Sequence, residues 1–187
     1  ATNNNSNVPL QVSSISNVIA ISGGEYHSLA IKDDGTVWAW GKNTNGQLGN
    51  GNNIDQLYPQ KVGTDSNWIS VVVGEKHTVA LKVNGTLWSW GNNSYGQLGD
   101  GTTNSKNNPV QIGVDNDWIN IAAGQFHTLG IKTNGTLWAW GNNNYGQLGD
   151  GTTVDKYSPI QISSMDNWLN VSAGQVYVVI QFRKNQQ

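Results

Sequence analysis

Apolar and polar positions along the chain form short, strand-length stretches that recur every fifty residues. The second recurrence is typical. Trp68-Ile69-Ser70-Val71-Val72-Val73 is an apolar run of the kind that forms a buried strand. His77-Thr78-Val79-Ala80-Leu81-Lys82 follows after a Gly-containing turn. Asn84-Gly85 then predicts a two-residue hairpin of type I′, in which both central residues have positive φ. In Thr86-Leu87-Trp88-Ser89-Trp90 the period of two places both indoles on one face. A long Gly-rich loop leads to a fourth strand around Pro109-Val110-Gln111-Ile112. Nothing in the pattern has helical periodicity.

The repetition is strict at key positions. His27, His77 and His127 stand fifty apart, as do Trp40, Trp90 and Trp140. The string Gly-Gln-Leu-Gly recurs at 46–49, 96–99 and 146–149. A fixed period near fifty with four strands per period predicts an all-β fold of radially arranged, four-stranded propeller blades. The units run from about 18 to 67, 68 to 117 and 118 to 167, inside an arc from 9 to 182. Pro9-Leu10-Gln11-Val12 matches the last strand of a unit, and residues 168–182 match the first two strands of a fourth. That fourth unit lacks a Trp-x-Trp strand, and Tyr177 stands in the histidine position. Residues 1–8 and 183–187 read as polar tails.

The motif Gly-x-x-His-Thr, followed by Asn-Gly-Thr-Leu-Trp-x-Trp-Gly-x-Asn-x-x-Gly-Gln-Leu-Gly-Asp-Gly-Thr, is complete from Gly74 to Thr102 and from Gly124 to Thr152. It resembles the repeat of the RCC1 (regulator of chromosome condensation) family. The first unit departs from it at Ser28, Asp34 and Asn50. The resemblance implies a seven-bladed β-propeller, of which this sequence carries about half. Three closures are open: a fragment of a longer protein, a four-bladed ring, or a homodimer of half-propellers. The homodimer is the favoured expectation, because an open arc leaves blade faces and strand edges uncovered.

Composition narrows the function. Only 12% of residues are charged and the net charge is −2, so the clustered Lys and Arg that neutralise phosphates are missing and no nucleic-acid partner is expected. No apolar run is long enough to span a bilayer as a helix, and no membrane partner is expected. With no cysteine there is no disulfide framework and no thiolate chemistry. The Asn-rich, weakly charged composition suggests an extracellular or cell-surface setting in a bacterium, with the cytoplasm as the alternative.

The residues that invite chemistry read as scaffold. Ligands of one metal ion converge to about 2 Å from it, whereas blade-equivalent histidines lie on separate blades. A histidine hydrogen-bonded within its own blade is expected. The repeated tryptophans are expected to pack between blades with their indole N–H groups on backbone carbonyls. Gly-Gln-Leu-Gly-Asp-Gly lacks the Lys and Ser/Thr of a phosphate-binding loop, and Asp150 to Asp155 lacks the spacing of a calcium loop. Glu25 and Glu75 are the two glutamates, and no carboxylate pair is placed for acid–base work. The expectation is a non-enzymatic module without a cofactor or metal site.

Positions that differ between units fall in predicted loops, where a rigid scaffold usually carries function. The candidate partner-binding residues are Tyr26, Lys76 and Phe126, ahead of or at the histidine turn. Further along each unit they are Ile54, Leu57 and Tyr58, then Lys106, then Val154, Lys156 and Tyr157. The expected partner is a protein of unknown identity, together with a second copy of the chain. Guanine-nucleotide exchange on a small GTPase is the alternative that the resemblance brings. In the family it depends on a projecting hairpin and basic tails, and these uniform units carry neither. A purely structural, self-assembling half-propeller is the third reading.

Overall fold

A computed structural model describes residues 7–162, 165–174 and 179–183. The first unit contains β1 (Val18–Gly23), β2 (His27–Lys32), β3 (Val37–Gly41) and β4 (Gln56–Lys61). The second contains β5 (Trp68–Val73), β6 (His77–Lys82), β7 (Leu87–Gly91) and β8 (Lys106–Gln111). The third contains β9 (Trp118–Ala123), β10 (His127–Lys132), β11 (Leu137–Gly141) and β12 (Lys156–Gln161). Each set forms one antiparallel sheet in sequence order, and β13 (Trp168–Ala173) pairs with β14 (Val179–Arg183) in a sheet of two. No helix is present among the described residues.

The register repeats from blade to blade: His27, His77 and His127 lie opposite Gly41, Gly91 and Gly141. The outermost strands begin at Lys106 and Lys156, three residues before the prolines expected to open them. Pro109 and Pro159 are tolerated there because an outer strand has one edge without a ladder. Leu57, Tyr58, Lys106, Lys156 and Tyr157, expected in loops, therefore lie in strands.

Two expectations about local structure change, and a third lies partly outside the described residues. The Asn-Gly hairpin is not type I′: Gly85 has φ 76°, but Asn84 is not among the positive-φ residues. Gly85 N–H donates to the Lys82 carbonyl (2.9 Å) and Lys82 N–H to the Thr86 carbonyl (3.2 Å), the pattern of a type I turn closed by a left-handed glycine. The Asn84 side chain accepts from the Thr86 hydroxyl (2.8 Å), a local bond that holds Asn84 in its turn without a left-handed backbone. Second, Pro9 to Val12 forms no strand. An outermost strand has a ladder only against a Trp-x-Trp strand, and the residues ahead of Pro9 contain none. Third, the expected strand from Val176 is described only as β14 from Val179; Val176 and Tyr177 lie outside the described residues.

The core lies between consecutive sheets. Leu29, Ile31, Val37 and Leu48 of the first blade pack with Trp68, Val71, Val73 and Trp90 of the second. The next layer repeats this with Val79, Leu81 and Leu87 against Trp118, Ile121 and Trp140. Among the described residues no blade covers the outer face of the first, and Ile21 is 79% exposed where its equivalents Val71 and Ile121 are 6% and 4% exposed.

One backbone carbonyl joins each blade to the next. The Gln47 carbonyl accepts from the Trp90 indole N–H (2.9 Å) and from the Thr78 hydroxyl (2.9 Å). The Thr78 oxygen in turn faces His27 Nε2 at 3.4 Å. Gln97, Trp140, Thr128 and His77 repeat the set at 3.0, 2.8 and 3.2 Å. The Thr hydrogen is committed to the carbonyl, so the histidine must be the donor, protonated on Nε2. His27 and His77 thus bond to the following blade, not within their own, while neither ring nitrogen of His127 has a hydrogen-bond partner among the described residues. Only glycine fits under the indole: a Cβ on Gly49 would stand 2.6 Å from Trp90 Nε1.

Thr78→Val removes the hydroxyl that both His27 and Gln47 use in a buried site. It is expected to cost about 2 kcal/mol, against under about 0.5 kcal/mol for Ser28→Ala, whose hydroxyl bridges no two blades among the described residues. Urea unfolding of both variants checks this; equal losses would remove the relay from the account.

Candidate partner-binding end

The long loop of each unit is organised by an asparagine that the motif contains but that was not singled out by sequence reasoning. Asn93 Oδ1 accepts from Leu98 N–H (2.9 Å), while its amide donates to Asp100 Oδ1 (3.0 Å) and to the Thr102 and Asn104 carbonyls (3.0 and 3.2 Å). Asn43 and Asn143 do the same for their loops. Fully satisfied polar centres of this kind rigidify a loop. The signal available for finding them was their fifty-residue spacing.

These loops and the turns before the histidines share one end of the blades. Lys42, Asn92 and Asn142 N–H donate to the carbonyls of Tyr26, Lys76 and Phe126 (2.8, 2.8 and 2.9 Å). All candidate residues therefore lie at this end, in two groups. Tyr26, Lys76 and Phe126 are on the inner turns. Ile54, Leu57, Tyr58, Lys106, Val154, Lys156 and Tyr157 follow the outer edge. A third group of positions that differ between units, 64–67, 114–117 and 164–167, lies at the opposite end, where Val83 N–H meets the Asn67 carbonyl at 2.9 Å; residue 164 is outside the described residues.

The inner group surrounds a depression of about 360 Å³ lined by Gly24, Glu25, Gly74, Glu75, Gly124 and Gln125. Gln125 donates to Glu75, and Lys76 Nζ lies 2.8 Å from the same carboxylate. Burial alone would raise the Glu75 pKa, but hydrogen bonds from Lys76 and Gln125 outweigh it and hold the carboxyl below its usual range. Phe126 stacks at a tilt on Tyr95, centroids 5.2 Å apart, across the blade boundary. Tyr95 was not picked out from the sequence, although Asn45, Tyr95 and Tyr145 vary immediately before an invariant glycine of the repeat. Tyr26 is exposed, and a hydrogen bond with Glu25 raises its pKa.

The outer group divides by engagement. Ile54, Leu57, Tyr58 and Val154 are exposed. Lys106 and Lys156 pair with Asp100 and Asp150 (3.4 and 3.2 Å). Tyr157 is half exposed, and its backbone crosses Gly96 so closely that a Cβ there would lie 2.7 Å from Tyr157 Cα.

Behind these surfaces the potent side chains are already engaged. Lys82 Nζ sits over Trp68 and Trp88 (4.6 and 3.7 Å) and bonds Asp65 at 2.6 Å. Lys132 is held likewise by Trp118, Trp138 and Asp115. The indole N–H groups split three ways. Those of Trp90 and Trp140 reach carbonyls as expected, those of Trp38, Trp88 and Trp138 reach the Thr hydroxyl two residues earlier, and those of Trp68, Trp118 and Trp168 have no partner among the described residues. Among the described residues no three His, Asp or Glu side chains are grouped to hold an ion.

Rigid four-stranded blades with variable loops gathered at one end define an arc of a β-propeller. Residues 1–180 match the RCC1-like domain, so the chain belongs to that family. Its blades resemble those of Prp20p from Saccharomyces cerevisiae, with a TM-score of 0.81 and 26% identity, covering 95% of this chain and 46% of that one. The structure of Kap60 bound to yeast RCC1 (Prp20) gives a TM-score of 0.75 at 25% identity, covering 90% of this chain and 42% of that one. In sequence, the ultraviolet-B receptor UVR8 of Arabidopsis thaliana is 43% identical over 54 residues, 28% of this chain and 12% of the receptor. The chain thus spans less than half of the propellers it resembles.

Burial lowers the pKa of His27 and His127 to about 4 and of His77 to about 3. A histidine held neutral in the fold contributes fully above its unfolded value of 6.5 and loses that contribution as pH falls toward the folded value. Stability should therefore drop from pH 6.5 to 4, by up to about 1.4 kcal/mol per pH unit for each histidine. Urea midpoints measured between pH 7.5 and 4.5, at about half-unit steps, check this; a flat profile above pH 5 would contradict it.

Proposed function

We propose that the chain is a non-catalytic protein-interaction module, whose loop-bearing end holds a protein partner and whose uncovered first blade joins a second copy. The observation that carries the reading is the segregation just described. Groups with chemical potential are committed between blades, while two of the three sets of positions that differ between units, with the exposed Tyr26 and the Tyr95–Phe126 pair, meet at one end. Tyr26, the Tyr95–Phe126 pair and Lys76 offer aromatic area and charge around the axis, the residue types that anchor protein interfaces. The family relation supports a binding role, since the neighbouring yeast propeller is described with Kap60 and for its binding to Gsp1p and histones. Exchange on a GTPase is the weaker reading, because the three units are uniform in length with no projecting hairpin. The Asn-rich, weakly charged composition favours an extracellular or cell-surface setting.

Self-association rests on the first blade. Ile21 and Val18 are exposed and Trp40 is half-buried, at positions whose equivalents Val71, Trp68 and Trp90 are buried in the junction with the preceding blade. Burying such apolar area is worth about 25 cal/mol per Å².

Sedimentation equilibrium should give twice the 20.2 kDa chain mass, and Ile21→Asp should give the single chain. A monomeric wild type removes the self-association. The partner-binding end is tested separately, by capture from the native source. Tyr26→Ser with Phe126→Ser should lose a protein that the wild type and Val83→Ser, at the opposite end, both retain; equal retention by all three would place the partner elsewhere.

A further inference from the structure

The two blade junctions contain the same indole site, and a third copy of that site is open. At the first junction, Trp90 lies over Gly49, donates to the Gln47 carbonyl and meets Trp68 at 6.0 Å. At the second, Trp140 lies over Gly99, donates to Gln97 and meets Trp118 at 6.0 Å. Beside each, Trp88 or Trp138 packs on that same Trp68 or Trp118, at 5.8 and 6.0 Å.

The third set is Gly149, Gln147 and Trp168. Gly49 and Gly99 are buried, whereas Gly149 is exposed and none of the described residues comes within 4 Å of its Cβ position. Its φ of 72° matches the 71° and 80° of the filled sites, so its backbone conformation at that glycine is already formed. Gln147 is less buried than Gln47 and Gln97, and no described side chain donates to its carbonyl. Trp68 and Trp118 each pack against two indoles, whereas no aromatic ring among the described residues packs on Trp168. Next to it, β14 is the outer strand of a two-stranded sheet, and no strand among the described residues pairs with its other edge.

We infer that this end is a strand-acceptor site for a Trp-x-Trp-Gly segment, the third strand of another unit of this repeat. The segment adds antiparallel to β14, as β7 adds to β6 and β11 to β10. Its second indole enters over Gly149 and donates to Gln147, and its first packs on Trp168. The backbone ladder holds the segment and the paired indoles select it, the logic of β-strand addition. The inference deepens the interaction reading, on which it rests, by naming the chemistry that continues the arc.

The probe is a synthetic peptide with the sequence of residues 134–142, Asn-Gly-Thr-Leu-Trp-Ala-Trp-Gly-Asn. Titrated into the 15N-labelled chain, it should shift the amide signals of Gln147, Gly149 and the β14 backbone, and leave Gly49 and Gly99 unmoved. A peptide with alanine at the second tryptophan should bind at least about tenfold more weakly. Gly149→Asn should do the same with unchanged melting, because asparagine tolerates positive φ while its Cβ occupies the indole position. No shift at Gly149 up to about 1 mM peptide, equal binding of the alanine peptide, or full binding to Gly149→Asn would each overturn the assignment. None of these results affects capture by Tyr26 and Phe126 at the loop end, so failure here and failure of the interaction reading are separable.

Discussion

The structure depends on one recurring backbone carbonyl. Gln47 and Gln97 each receive an indole N–H and a threonine hydroxyl from the next blade, and that hydroxyl takes the histidine N–H from their own. A sheet of four strands buries little by itself and needs a neighbour on each face. Apolar packing supplies most of the energy, but packing alone does not choose an angle between sheets. The carbonyl chooses it, because three donors and acceptors from two blades must coincide within hydrogen-bond distance. The strict glycines follow, since any Cβ under the indole would occupy the space the ring needs.

This commitment explains why groups that look reactive are inert. A histidine beside a threonine, a lysine between two tryptophans and an asparagine amid four oxygens would each suggest a site if seen alone. Here each is buried and bonded to the scaffold. The histidines are held neutral because a charge in that position has no partner. The freedom left to the molecule is at the loop-bearing end, where Tyr26, Lys76 and Phe126 replace one another without disturbing the turn that holds them.

The outer faces of the first and last blades, uncovered among the described residues, show what the junction is worth. Ile21 is open to solvent where Val71 and Ile121 are covered, and Gly149 is open where Gly49 and Gly99 are roofed by indole. The repeat makes these comparisons internal, between positions with the same local sequence. The difference between a filled and an unfilled site therefore comes from the neighbour and not from the residues themselves.

The fifty-residue period, the strand content and the blade architecture were legible in the sequence, because alternation and turn residues act over a few positions. So was the scaffold role of the histidines and tryptophans, from their repetition alone. Their partners were not legible. Thr78 lies 51 residues from His27, and Trp90 lies 43 from Gln47, so only the radial stacking of blades shows that these groups meet. The hairpin was misread because Asn-Gly serves two turn types, and the Asn84–Thr86 bond decided between them. The gathering of Tyr95 with Phe126 likewise needed the third dimension, since one belongs to a loop and the other to the next blade's turn. Short-range pattern determined which strands form; the long-range coincidence of donors and acceptors decided how they stand against one another and which side chains remain for a partner.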